Sequence, residues 1–208
     1  MLTPGTVIAG KYRIVSLIGE GGMGVVYEGV HARIGRRVAI KVMNPSMAQD
    51  AEALARFERE AQAATRIGSQ HVVDVLDFGG IDTGDRFIVM EHLEGENLGT
   101  RLKRDGFLPQ AEVTHIGIQV LEGLVRVHEA GIIHRDLKPA NIFLTSRNDG
   151  ALVKILDFGV CKMLQTQGRG EPLTMMGQLL GTPAYMAPEA MEHGPSKVDA
   201  RAASTRSA

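Results

Sequence analysis

The chain of 208 residues contains no tryptophan, a single cysteine and few aromatic side chains, 4% in all. A lone Cys161 cannot close an internal disulfide, which fits a reducing compartment and places the expectation in the cytoplasm. No apolar run approaches the ~18 residues of a membrane span, and Met1 to Ile14 hold no long apolar stretch of the kind a secretory leader carries. Neither sign of charge is in excess. Twenty-three Lys and Arg stand against 24 Asp and Glu, a formal charge of -1, so nothing global draws the chain to nucleic acid or anionic lipid, and any basic site must be local. What is present is a globular composition: 44% hydrophobic and 23% charged residues exclude a disordered, collagenous or disulfide-built chain. At this length about 70% of the unfolded surface can be buried, in one large domain or two small ones. Glycine is abundant, 25 of 208 residues, about 12% against a usual ~7%, and points to tight backbone approaches.

From Tyr12 to Val42, short β-branched runs separated by glycine predict three strands, Tyr12–Val15, Val25–Val30 and Arg37–Val42, joined by hairpins. Between Asp50 and Ile67 the apolar period changes to three and four residues through Leu54, Phe57, Ala61, Ala64 and Ile67, which predicts an amphipathic helix. Strand character returns at Val72–Phe78 and Arg86–Glu91. The first part of the chain is therefore expected to be a small β-rich lobe carrying one helix. Gly95 to Gly106 marks a change of regime. Gln110 to Glu129 then carries Val113, Ile116, Val120, Leu121, Leu124 and Val127 at helical spacing, with Gly131 placed to end the helix. Ile132–Ile133, Ile142–Leu144 and Val153–Leu156 follow as expected short strands, and Gln165 to Thr182, without periodicity, as a loop.

Gly19-Glu20-Gly21-Gly22-Met23-Gly24 fits G-x-G-x-x-G, a pattern with several owners. In a dinucleotide-binding fold it must open a helix, but here Val25-Val26-Tyr27 continues as a strand. A glycine hairpin between strands can fold over a nucleotide's phosphates, because backbone N–H groups without neighbouring Cβ atoms approach oxygens closely; an ordinary glycine turn is the competing reading. Val38-Ala39-Ile40-Lys41 places a lysine on the third strand, and Glu60 lies on the following helix where it can pair with that cation, though either residue alone is commonly a solvated charge. His134-Arg135-Asp136-Leu137-Lys138-Pro139-Ala140-Asn141 is far more specific. Asp136 offers an acceptor for a substrate hydroxyl proton, and Asn141 an amide oxygen for a metal ion. Sixteen residues later Asp157-Phe158-Gly159 supplies a carboxylate suited to a Mg²⁺ that bridges β- and γ-phosphates and keeps several waters.

These motifs closely resemble those of the eukaryotic-like, Hanks-type serine/threonine protein kinases of bacteria, from about Lys11 to Asp199 and including Ala187-Pro188-Glu189. The resemblance implies an α+β, two-lobe kinase fold in one domain over 12–208, with a small lobe over about 12–94 and a partial large lobe over about 95–200. It implies ATP as phosphoryl donor with Mg²⁺, for which Mn²⁺ can stand in, and a protein Ser or Thr as acceptor. It assigns Lys41, Glu60, Asp136, Lys138 and Asn141 to catalysis and Asn141 and Asp157 to the metal. Nucleotide contacts fall to Ile18, Gly19, Glu20, Gly21, Gly22, Met23, Gly24, Val26, Ala39, Lys41, Met90, Glu91, Leu93, Phe143 and Asp157. Within that set Met90 looks like the gatekeeper, Glu91 to Leu93 like the hinge whose backbone bonds adenine, and Val26, Ala39 and Phe143 like the residues that sandwich the base. His92 is expected to face solvent and Cys161 to be a small core residue. Lys138 resembles the lysine of serine/threonine rather than tyrosine kinases, and the segment Gly181 to Glu189 favours a protein over a small-molecule acceptor. Thr174, with Thr166 as competitor, resembles a site of autophosphorylation read out through Arg135, near the Thr182 end of the segment, and a second copy of the kinase is the implied partner for trans-phosphorylation.

The resemblance breaks at Arg201-Ala202. Kinases of this kind continue in a pattern like Asp-Val-Tyr-Ala-Leu-Gly-Val-Met, whereas this chain ends Ala203-Ser204-Thr205-Arg206-Ser207-Ala208. Written in GC-rich codons, that continuation with one nucleotide deleted from the aspartate codon reads Arg-Ala-Ala-Ser-Thr-Arg-Ser-Ala and then stop. The expectation is a frameshift in a gene for a longer kinase, residues 201–208 being an aberrant tail and the large lobe truncated after the activation segment. The long helix from Gln110 is then expected to expose part of its apolar face, and the isolated chain to be insoluble, partly unfolded or barely active. A kinase fragment that binds nucleotide without turnover is the alternative function.

Overall fold

The computed structural model describes residues 1–21, 24–43, 58, 61–81, 84–134, 136–147, 150–157 and 185. The glycine-spaced β-branched runs form an antiparallel sheet of β1 (Val7–Ile8), β2 (Tyr12–Gly21), β3 (Gly24–His31), β4 (Arg37–Met43), β5 (Val75–Gly80) and β6 (Arg86–Glu91), in the order β1-β2-β3-β4-β6-β5. Strand β1 and the extension of β2 to Gly21 go beyond the sequence expectation. Alternation along a strand sends successive side chains to opposite faces, and here the faces serve different ends. Tyr27, Val38, Ile40, Phe87 and Val89 join Ile8, Tyr12 and Ile14 in a buried cluster on one side. On the other side, the register sets Val26 opposite Lys41 and Ala39 opposite Met90. The first face is core; the second carries Lys41 over the cleft, with Met43 and Ile88 of that same face buried in a second cluster.

Three of the last strands build a second sheet: β7 (Gly95–Asn97), β8 (Ile142–Arg147) and β9 (Gly150–Ile155), in that order and antiparallel. The change of regime at Gly95 to Gly106 resolves into β7 and a short helix, α1 (Leu98–Asp105), that the sequence reading did not anticipate. Its signal was Asn97, whose side chain accepts the Thr100 N–H at 2.8 Å as an N-cap. The helix ends at Gly106, with φ +78°. The long helix α2 spans Gln110–Glu129, as its period predicts. Ile116, Val120, Leu124 and Val127 are buried in one cluster with Ile142 and Leu144 of β8 and Val153 and Ile155 of β9, each such side chain contributing about 1.5–3 kcal/mol.

Two strand expectations need correction. Ile132–Ile133 is a loop, because the Ile132 N–H bonds back to Val127 O at 3.1 Å and so belongs to the end of α2, with Gly131 at φ +75°. The strand expected from Val72 starts at Val75. Val72 instead makes a parallel bridge to Ile155, the Val73 N–H donating to Ile155 O and the Ile155 N–H to His71 O. That bridge ties the first sheet to β9. The helix expected over Asp50–Ile67 is helical at Glu58 and at 61–64 and ends earlier than expected, Thr65 and Arg66 forming a turn in which the Arg66 N–H bonds Ala63 O at 3.0 Å; residues 50–57, 59 and 60, and the loop from Gln165 to Thr182, lie outside the described residues.

Candidate active site

Asp157 lies two residues past the end of β9 and its backbone is left-handed, φ +52°, a region that costs a residue with a side chain about 1–3 kcal/mol. The conformation turns its carboxylate across the cleft, where Oδ1 accepts a 2.6 Å bond from the Lys41 ammonium of β4. Lys41 is 116 residues away in the chain and its side chain is only 5% exposed. Two motifs that the sequence offered separately thus meet in one ion pair.

The segment from His134 to Asn141 packs beside that pair. Asp136 Oδ2 lies 3.1 Å from the Lys138 ammonium, and Asn141 Nδ2 donates to Asp136 O at 2.8 Å and to Asp136 Oδ2 at 3.3 Å. With its nitrogen turned to Asp136, the other end of the Asn141 amide is an oxygen, the atom type a hard divalent cation takes. A 3₁₀ turn over Pro139–Asn141 brings Asn141 round, and its carbonyl accepts the Leu156 N–H at 2.8 Å. The Leu156 carbonyl in turn accepts from His134 Nε2 at 2.8 Å. Both backbone polar groups of Leu156, the residue before Asp157, are therefore held by the Asp136 loop. His134 is fully buried, and burial pushes its imidazole below the ordinary histidine range, opposed by the bond to Leu156 and by the carboxylates of Asp136 and Asp157. A neutral ring with Nε2–H donating leaves Nδ1 to accept the Asp136 N–H, 3.3 Å away.

The other described residues expected to contact nucleotide fall on β2, β3, β4, β6, β8 and the segment after β6. Val26, Ala39, Met90, Glu91, Leu93 and Phe143 are all half-buried; Ile18 and Glu20 are exposed on β2 and Gly24 opens β3. A Cβ at Gly24, at φ +143°, would stand 2.2 Å from Val42 O, so that glycine is required by the hairpin itself. No described atom lies within 4 Å of a Cβ built at Gly19 or Gly21. His92 is half-buried with Nε2 3.4 Å from Arg37 Nη2, and Arg37 also bonds Glu28 and Glu94. Gly22, Met23, Glu60, Arg135, Phe158, Gly159, Cys161, Thr166, Thr174, Thr182 and Ala187–Glu189 lie outside the described residues. The sequence reading missed two features: the buried cation Lys154, and the side chain, as distinct from the backbone, of Glu91.

The profile of the family described as "Protein kinase domain" matches residues 12–202. The chain belongs to the protein kinase family. It is 44% identical over 186 residues to the serine/threonine-protein kinase pkn3 of Myxococcus xanthus, a match covering 89% of this chain and 34% of that protein. It is 42% identical over 193 residues to a probable serine/threonine-protein kinase, pknA2, of Bifidobacterium longum, covering 91% of this chain and 24% of that protein. Among solved structures, the PknI kinase domain of Mycobacterium tuberculosis superposes with a TM-score of 0.76 at 32% identity, covering 97% of this chain and 72% of that one. The two-lobe α+β kinase fold follows from these matches. The chain spans about a quarter to a third of the length of these curated relatives, and about seven tenths of the solved kinase domain.

Proposed function

We propose that this chain carries the catalytic site of a serine/threonine protein kinase, which moves the γ-phosphoryl group of ATP to a Ser or Thr hydroxyl of a protein. The observation that carries the reading is the Lys41–Asp157 pair at 2.6 Å, flanked by the Asp136–Lys138–Asn141 cluster. A cation from one lobe, two carboxylates and an amide from the other converge as phosphoryl transfer requires. Lys41 neutralises α- and β-phosphate charge. Asp136 orients the acceptor hydroxyl and takes its proton as the oxygen–phosphorus bond forms and the bond to the leaving ADP oxygen breaks, while Lys138 holds the γ-phosphate end. Asn141 and Asp157 are the residues suited to hold Mg²⁺, which when bound offsets charge on the β- and γ-phosphates. The open space beside Gly19 and Gly21, where the hairpin needs no glycine for its own packing, supports a ligand lying along it. Ile18, Val26, Ala39, Met90, Leu93 and Phe143 supply the apolar surface for adenine.

The same reading places Glu60 as the partner that steadies Lys41, Thr174 as the phosphorylated residue sensed by Arg135, and a second copy of the kinase as the one that phosphorylates it. It places the protein in the cytoplasm; among the described residues no helix is long and apolar enough to cross a membrane. A second reading, nucleotide binding without turnover, is favoured by the apolar stripe that α2 leaves exposed. Transfer from γ-labelled ATP to a generic basic protein, run beside an Asp136→Asn control, separates the two. The kinase reading expects incorporation that falls about 10²–10⁴-fold in the control; ATP binding with no incorporation in either protein supports the second.

A further inference from the structure

We propose that Lys154 is a positioning residue for the nucleotide base, an inference that rests on reading Glu91 to Leu93 as the adenine-binding hinge. Lys154 lies on β9, three residues before Asp157, and is buried. Its ammonium donates to Glu91 Oε1 at 2.5 Å and to Val72 O at 3.3 Å. Glu91 Oε1 also accepts the Asp74 N–H at 2.9 Å, and the Glu91 N–H donates to Asp74 O at 3.0 Å. The first hinge residue is thus fixed at both its backbone and its side chain. Across the second sheet, Lys154 is the register partner of Phe143, so the two side chains share one face. Lys154 therefore stands between the residue expected to lie under the base and the residue expected to bond its edge.

A buried ion pair is poor evidence for stability, because taking two charges out of water offsets most of their attraction, and apolar residues of similar volume pack as well. Geometry accounts for it better. The strand that delivers Asp157 to the phosphates also sets, through Lys154, where the hinge stands, so both ends of the nucleotide are gauged from β9.

The test uses the 208-residue chain, with displacement of a fluorescent ATP analogue by adenosine or by inorganic tripolyphosphate with Mg²⁺. For Lys154→Met, adenosine should weaken about tenfold, the scale of one charge-assisted bond. Tripolyphosphate, which has no base, should be unchanged, and Lys154→Arg should recover most of the adenosine affinity. If Lys154→Met does not fold, the double variant Lys154→Met/Glu91→Gln, which leaves no unpaired buried carboxylate, carries the same comparison. Equal weakening of both competitors means a general structural role and overturns the proposal, as does no weakening of either. If the wild-type chain binds the analogue and the variant binds adenosine equally well, the nucleotide site stands and only the role of Lys154 falls. If the wild-type chain binds no nucleotide, both readings fall.

Discussion

His134 donates through Nε2 to the carbonyl of Leu156 at 2.8 Å, so a buried ring in the Asp136 loop holds the peptide that aims Asp157. Replacing it by alanine leaves a cavity and an orphaned carbonyl. His134→Ala should lose about 3–5 kcal/mol by chemical denaturation, and phosphoryl transfer should fall with it. The ring also sets a pH dependence. Its folded pKa lies below its unfolded value, so the unfolded chain binds the proton first as pH drops. The stability it contributes is present above ~6.5 and lost as pH falls below that toward the depressed folded value. Melting curves between pH 7.5 and 5 should slope downward in the wild type and less so in His134→Gln.

Two glycines of one motif should respond in opposite ways. Gly24→Ala meets the Val42 carbonyl in a backbone conformation hostile to side chains, and should cost about 2–3 kcal/mol in stability. Gly21→Ala points into open space, so its melting temperature should hold while its KM for ATP rises. A fall in melting temperature at Gly21 equal to that at Gly24 would remove this argument for a ligand.

On α2, Ile118, Leu121 and Val125 are each 52–55% exposed and lie along one face, turned away from buried Ile116, Val120 and Val127. Such a stripe drives association. Leu121→Lys with Val125→Glu should shift the chain toward monomer in sedimentation velocity, with nucleotide affinity unchanged and stability within about 0.5 kcal/mol of the parent.

The hydroxyl of Tyr12 donates to Asp77 Oδ2 at 2.9 Å, fastening β2 to β5. Burial first, then the Asp77 carboxylate, push the phenol up to about 12. Its folded pKa is thus raised above the ordinary ~10, so the contribution is intact below pH ~10 and vanishes as pH climbs through about 12. Tyr12→Phe should be less stable by about 1 kcal/mol at neutral pH and should show a flatter alkaline limb in a pH-jump melt.

The parts of this protein that the sequence disclosed are those governed by local rules. The period of α2 located both of its ends, because apolar spacing and Gly131 act within a few residues. The β-branched runs located β3, β4 and β6 for the same reason. Asp136, Asn141 and Asp157 were legible because their order and spacing are specific, and Lys41 because it stands in a strand after a glycine hairpin. What stayed hidden depends on partners distant along the chain. Nothing near Lys154 announces that its cation is buried against Glu91, 63 residues away. Nor does Val72 announce that its bridge partner, Ile155, lies on β9 instead of in the first sheet; a propensity-based reading extends the strand because valine favours it. Helix α1 was missed because eight residues rich in Arg and Lys carry no buried side chain to set a period.

The left-handed turn at Asp157 has an evolutionary reading. Glycine would adopt that backbone at no steric cost, and asparagine almost as readily, yet neither brings a negative charge to face Lys41. A mutational walk through this codon therefore meets a trade between comfort and chemistry: variants that relax the chain disarm it. Deep mutational scanning scored for fold and for turnover separately should find Asp157 to be a position where the two rankings disagree most.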